Sequence, residues 1–118
     1  MSAATPSVSR VTTHVLDATV GRPAEGVAVA LLVRDGHDWR HLDASVTDAD
    51  GRVARIGAEE LPVGDYRLRF DTGAYFAAHG IDTFYPEVVL TFHVADDGRH
   101  VHAPLLVSPF AYSTYRGS

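Results

Sequence analysis

The sequence predicts an all-β chain, an antiparallel β-sandwich with one short helix. Three observations carry this. Short segments of apolar or β-branched alternation recur along the chain, Gly, Asp and Pro separate them at short intervals, and only one stretch reads as helix. Many short strands with regular turn signals are the pattern of a sandwich, because each strand can bury only one face.

The elements follow in order. Residues 11–18 alternate and form a first strand, broken by Gly21-Arg22-Pro23-Ala24-Glu25-Gly26. Residues 27–34 are nearly all apolar and make a second strand. Asp35-Gly36 turns the chain into a third, 39–46. Asp48-Ala49-Asp50-Gly51 is a strong turn with Gly51 suited to positive φ, and 52–56 is a short fourth strand. After Leu61-Pro62-Val63-Gly64, residues 66–70 alternate cleanly as a fifth strand. Residues 72–80 are the one plausible helix, with Asp71 or Thr72 as cap and Gly80 as stop. Residues 86–94 form the sixth strand, Asp96-Asp97-Gly98 turns, and 100–107 and 111–115 are the seventh and eighth. Residues 1–9 read as a disordered N-terminal arm, leaving 10–118 as a single domain.

Composition narrows the function. Apolar residues make up 46% of the 118, too many for a disordered chain. The net charge of −5 argues against nucleic acid or an anionic membrane as partner. There is no cysteine, so disulfides, thiolate ligands and a Cys nucleophile are excluded. No apolar leader and no membrane-length run is present, and the tail is not a peroxisomal address, so a cytoplasmic protein is expected. A serine-hydrolase elbow, a phosphate loop and a dinucleotide fingerprint are all missing. Asp48-Ala49-Asp50-Gly51 begins like a calcium loop but lacks the later ligands, so it reads as a turn.

Seven histidines stand out: His14, His37, His41, His79, His93, His100 and His102. His37 and His41 flank a turn and strand, His79 ends the helix, and His93 alternates as a solvent-facing residue; none is given a role. Strand parity sets Thr12, His14 and Leu16 on one face, and His102, Pro104 and Leu106 on another. Each histidine thus shares its side with a large apolar residue, as at the floor of a half-buried groove. A neutral imidazole there suits acid–base work, because its ordinary pKa is about 6.5. His100-x-His102 with His14 also offers the three-His pattern of a catalytic zinc site. That spacing is short and common and no carboxylate completes it, so no metal and no other cofactor is expected. Arg52 follows the turn directly. Its planar fork becomes a clamp for an imide-like or anionic substrate if folding brings it to the groove.

The tail Tyr115-Arg116-Gly117-Ser118, after Leu105-Leu106-Val107-Ser108-Pro109-Phe110-Ala111-Tyr112-Ser113-Thr114, resembles the C-terminal signature of the 5-hydroxyisourate hydrolases of the transthyretin-like family. Thr13-His14-Val15-Leu16-Asp17 with Gly21-Arg22-Pro23-Ala24 resembles the family's first motif. Asp50-Gly51-Arg52, Phe70-Asp71-Thr72-Gly73-Ala74-Tyr75-Phe76, Phe84-Tyr85-Pro86-Glu87 and His100-Val101-His102-Ala103-Pro104 continue the match in order. Val101 is a departure, since many members have Tyr there, but by parity it points away from His102. The hormone carrier transthyretin shares the fold. The chain follows the enzymes at His14, Arg52, His102 and the terminal tetrapeptide.

The resemblance implies a transthyretin-like sandwich of two four-stranded sheets, a homotetramer, and active sites in clefts between dimers. It implies hydrolysis of 5-hydroxyisourate in urate degradation. The catalytic residues it implies are His14, Arg52, His102 and Ser118, and substrate is held by His14, Arg52, Tyr115 and Arg116. His14 is implied as base or water-orienting group. His102 is implied to relay a proton or to hold the tautomer of His14. The alternative is a transthyretin-like carrier of a small aromatic ligand without catalysis.

Overall fold

The computed structural model describes residues 8–118. The strands are β1 (Val11–Asp17), β2 (Arg22–Pro23), β3 (Ala28–Asp35), β4 (Asp38–Val46), β5 (Arg52–Ile56), β6 (Gly64–Phe70), β7 (Val88–Val94), β8 (Val101–Ser108) and β9 (Ala111–Thr114). One helix, α1 (Thr72–Ala78), links β6 to β7. The expected boundaries move by one or two residues, and β2 is an addition, a two-residue strand inside the stretch read as a break.

One sheet has the order β4-β3-β6-β7, all antiparallel. The other runs β2-β1-β8-β9, with β5 sharing the β2 edge of β1. One pairing departs from the antiparallel expectation: β1 and β8 run parallel over their whole length, from Val11 opposite Val101 to Asp17 opposite Val107. A parallel pair needs a crossover rather than a hairpin. Here the crossover is nearly the whole remaining chain, which supplies the second layer.

The two layers close on one core. Val11, Val15, Leu31, Tyr66, Leu68, Phe70, Phe76 and Leu105 are sealed between them. Burying such a side chain contributes roughly 1.5–3 kcal/mol. Of the two expected helix caps, Asp71 and Thr72, it is Asp71 that serves, its carboxylate accepting from Ala74 N at 3.2 Å. The helix is tied to β1 by Tyr75, whose hydroxyl donates to the buried Asp17 carboxylate at 2.9 Å. Burial, then that carboxylate, pushes the Tyr75 phenol up to about 12.

The expected N-terminal arm over residues 1–9 falls mostly outside the described residues. Ser9 is buried, and its hydroxyl donates to Val11 O at 2.5 Å and accepts from Ile56 N at 2.8 Å.

Candidate active site

In β1, Val11, Thr13, Val15 and Asp17 are buried against the core. Pleating therefore turns Thr12, His14 and Leu16 to the outer face of the sheet. The parallel register sets Thr12 beside His102, His14 beside Pro104 and Leu16 beside Leu106. On the other edge, His14 stands opposite Arg52 of β5. Three strands distant in sequence, β1, β5 and β8, thus bring both histidines and the arginine onto one surface. Val101 lies in the core, on the opposite face from His102.

The turn before β5 holds two of these groups. The Asp48 carboxylate accepts from Asp50 N and Arg52 N, each at 2.9 Å. It therefore closes a turn rather than a cation loop. Gly51 sits at φ +74°, and a Cβ there would collide with Val15 O, so only glycine fits. This turn launches Arg52 and aims the Asp50 carbonyl at His14. His14 Nε2 donates to that carbonyl at 2.8 Å. A carbonyl can only accept, so Nε2 carries the proton and the lone pair of neutral His14 is on Nδ1.

His102 has a different partner. Its Nδ1 lies 2.8 Å from Thr12 Oγ1, and His100 Nε2 lies 2.7 Å from the same oxygen. His14 and His102 therefore do not hold one another's tautomer. Partial burial lowers the His102 pKa below its ordinary value, and the charges of His100, Arg52 and His14 lower it further. A neutral His102 at pH 7 follows. The two imidazoles of His100 and His102 both face one hydroxyl rather than a shared point. Among the described residues, no group of three or more His, Cys, Asp or Glu side chains could hold a metal ion.

A pocket of about 330 Å³ opens on this face, lined by Thr12, Arg52, Ala54, His100, His102 and Ser118. The tail reaches it by a backbone bond, Gly117 N donating to His102 O at 2.8 Å. Gly117 lies directly on the imidazole: a Cβ there would be 2.5 Å from His102 Cδ2. Tyr115 and Arg116 line a neighbouring hollow of about 350 Å³ instead, with Leu90, Phe92 and also His102. The chain thus gathers Arg52, His102 and Ser118 around one cavity and His14 on the same face beside Arg52. Tyr115 and Arg116 belong to the far side of His102.

A larger hollow, about 590 Å³, is elsewhere, on the outer face of the other sheet over Ala28, Ala30 and Ala44. It contains His41 and Arg69 but no hydrogen-bonded set of titratable groups comparable to the β1–β8 face, so size alone does not mark the site. His93 is exposed and pairs with Asp65 at 2.9 Å. His79 is bonded to Tyr75 O at 2.8 Å. Both are away from the site. Sequence reading missed Thr12, the Asp50 carbonyl and Gly117. Thr12 shares the parity of His14, which was the available signal. A backbone acceptor leaves none.

Comparison with known proteins identifies the family. Residues 11–117 match the model of the HIUase/Transthyretin family. The chain is 47% identical over 115 residues to 5-hydroxyisourate hydrolase of Caulobacter vibrioides, covering 94% of this chain and 100% of that one. Klebsiella pneumoniae 5-hydroxyisourate hydrolase superposes with a TM-score of 0.81 at 42% identity, covering 92% and 98% of the two chains. Sea bream transthyretin in complex with thyroxine superposes with a TM-score of 0.85 at 32% identity, covering 92% and 94%. Backbone shape does not separate enzyme from carrier, and sequence identity leans to the enzyme. The match of nearly the whole described chain and the shared sandwich place it without ambiguity: the chain belongs to the HIUase/Transthyretin family.

Proposed function

We propose that this protein hydrolyses 5-hydroxyisourate to 2-oxo-4-hydroxy-4-carboxy-5-ureidoimidazoline, a step of urate degradation. The observation that carries the reading is the convergence of His14, Arg52, His102 and Ser118 on one sheet face. The names of the relatives support it.

Opening a cyclic amide needs a base for water, a donor for the developing oxyanion and a clamp for the ring. His14 serves as base or water-orienting group through Nδ1. Its Nε2–H to Asp50 O bond fixes the ring and strengthens when the imidazolium forms. Arg52 holds the substrate carbonyls and meets the negative charge. His102, kept neutral by its surroundings, relays a proton. Ser118 brings a hydroxyl to the same pocket, and Tyr115 and Arg116 bind substrate from the far side of His102. The water addition needs no cofactor. The reading includes a cytoplasmic enzyme without nucleic-acid or membrane partners.

A homotetramer completes the site. The pocket is shallow, and Leu16 and Leu106 on the same face are only half-buried in the protomer. A second copy covering this face supplies the missing wall. Light scattering at micromolar concentration should give four chains, and a fully active monomer would remove the interface site.

The test is Arg52→Glu. Arg52 is exposed and follows a turn, so the strand signal in circular dichroism should persist while hydrolysis is abolished. Near-wild-type turnover in the folded variant would end the clamp assignment.

A further inference from the structure

We infer that His100 and Thr12 form a proton relay into His102, with Thr12 Oγ1 as the bridge. The inference rests on the hydrolase reading and adds two residues to its proton chemistry.

The geometry leaves little freedom. Two imidazole nitrogens, His100 Nε2 at 2.7 Å and His102 Nδ1 at 2.8 Å, approach one hydroxyl. A hydroxyl has one proton to give and can donate to only one of them. The other contact must be an imidazole N–H donating to the oxygen. When the hydroxyl proton is used between the two rings, the three groups are directional and have two states. In one, His100 Nε2–H donates to Thr12, Thr12 donates to His102 Nδ1, and the His102 proton sits on Nε2. In the other every bond is reversed, and His102 Nε2 holds the lone pair.

The first state is the one that can act as an acid. His102 gives its Nε2 proton to the ring nitrogen as the C–N bond breaks and that nitrogen takes the bonding pair. In the same event Nδ1 takes the Thr12 proton, and Thr12 takes the Nε2 proton of a protonated His100. His102 and Thr12 finish neutral with the bonds reversed. His100 finishes neutral, with its remaining proton on Nδ1. His14 meanwhile has taken one proton from the attacking water and returns it to solvent; His102 then moves its proton from Nδ1 back to Nε2 through water, the Thr12 hydroxyl turns back to Nδ1, and His100 takes one proton from solvent at Nε2. One water is consumed, and the enzyme's proton count is unchanged.

Exposure fits this direction of flow. His100 is exposed, His102 is half-buried and Thr12 is 8% exposed. A group shielded under the tail by Gly117 recharges slowly from water, whereas His100 exchanges freely. His100, which has no other role in the site, has its use here. Both residues share the outer face because Val101 between them enters the core.

The experiment follows turnover of freshly made 5-hydroxyisourate by the full chain. The variants are Thr12→Val, Thr12→Ser, His100→Gln and the Thr12→Val/His100→Gln pair, with circular dichroism and light scattering on each. Thr12→Val should lower kcat by roughly 10- to 100-fold, at the lower end of what a general acid supplies. Thr12→Ser should restore it to within about threefold. His100→Gln, at an exposed position that leaves folding intact, should match Thr12→Val, and the double variant should be no slower than either, because the residues act as one unit. In mixed H2O and D2O, the wild-type rate should curve with deuterium fraction, and the Thr12→Val rate should be linear. Wild-type turnover in Thr12→Val or in His100→Gln, equal slowing in Thr12→Ser, or multiplied losses in the double variant would each overturn the relay. A wild-type protein that leaves substrate decay unchanged would overturn the hydrolase reading instead.

Discussion

Replacing Gly117 by Ala places one methyl group against the imidazole of His102. The new Cβ would stand 2.5 Å from Cδ2 and 3.3 Å from Cγ of that ring, and 3.3 Å from Pro104 Cγ. Ordinary carbon contacts are about 3.5–4.0 Å, so ring or tail must move by on the order of 1 Å. The ring is held through Nδ1 by Thr12 at 2.8 Å, and its backbone lies in the sheet. If the ring slides, the Thr12 bond lengthens. If the tail lifts, the bond from Gly117 N to His102 O is lost and Ser118 leaves the pocket. A displacement of 1 Å at reacting groups costs about a hundredfold in rate. The stability cost is that of one exposed backbone bond, about 1 kcal/mol or less. For a chain of this length that is a fall in Tm of about 4 °C or less. Single-turnover decay of 5-hydroxyisourate in the ultraviolet, beside a calorimetric trace of the same sample, separates the two effects. Wild-type kcat in Gly117→Ala, or a collapse of Tm that parallels the rate, would refute the account of the tail as a positioning element.

Deleting residues 115–118 should lower activity by roughly a hundredfold or more while Tm and assembly stay nearly unchanged, measured by calorimetry and light scattering. The chain ahead of the cut is retained by β9 pairing with β8 rather than by core burial, since Phe110 and Tyr112 are 70% and 42% exposed in the protomer. The NMR titration of His102 should show a midpoint below the ordinary value of about 6.5, because burial and nearby charge disfavour its imidazolium. A depressed histidine stabilises the fold fully above that ordinary value, and the contribution is lost as pH falls through the lower native pKa. Unfolding free energy should therefore decline on the acid side of that window, and Arg52→Glu should move the His102 midpoint upward. An unshifted midpoint in both proteins would remove the electrostatic argument.

Much of the architecture was legible in alternation and turn chemistry. Residues 52–56 and the start of the helix at Thr72 fall where Asp48-Ala49-Asp50-Gly51 and Asp71 place them. The parallel union of β1 with β8 was not, because parity assigns a side chain to a face but not to a neighbouring strand. That union is what joins His14 to His102 on one surface. Strand parity singled out His14 and His102 and the turn singled out Arg52, but their roles, and Ser118 altogether, came from family motifs. His14's partner is a backbone carbonyl, and Gly117's role is a close approach; neither is written in side-chain chemistry.

Catalysis of ring opening is read out by ultraviolet absorbance after uricase has made 5-hydroxyisourate in the cuvette. The wild-type protein should speed the decay well above the spontaneous rate, in proportion to its concentration, whereas Arg52→Glu in a folded state should not. A decay unchanged by the wild-type protein, with substrate or an aromatic ligand merely bound, would contradict the account and leave a carrier.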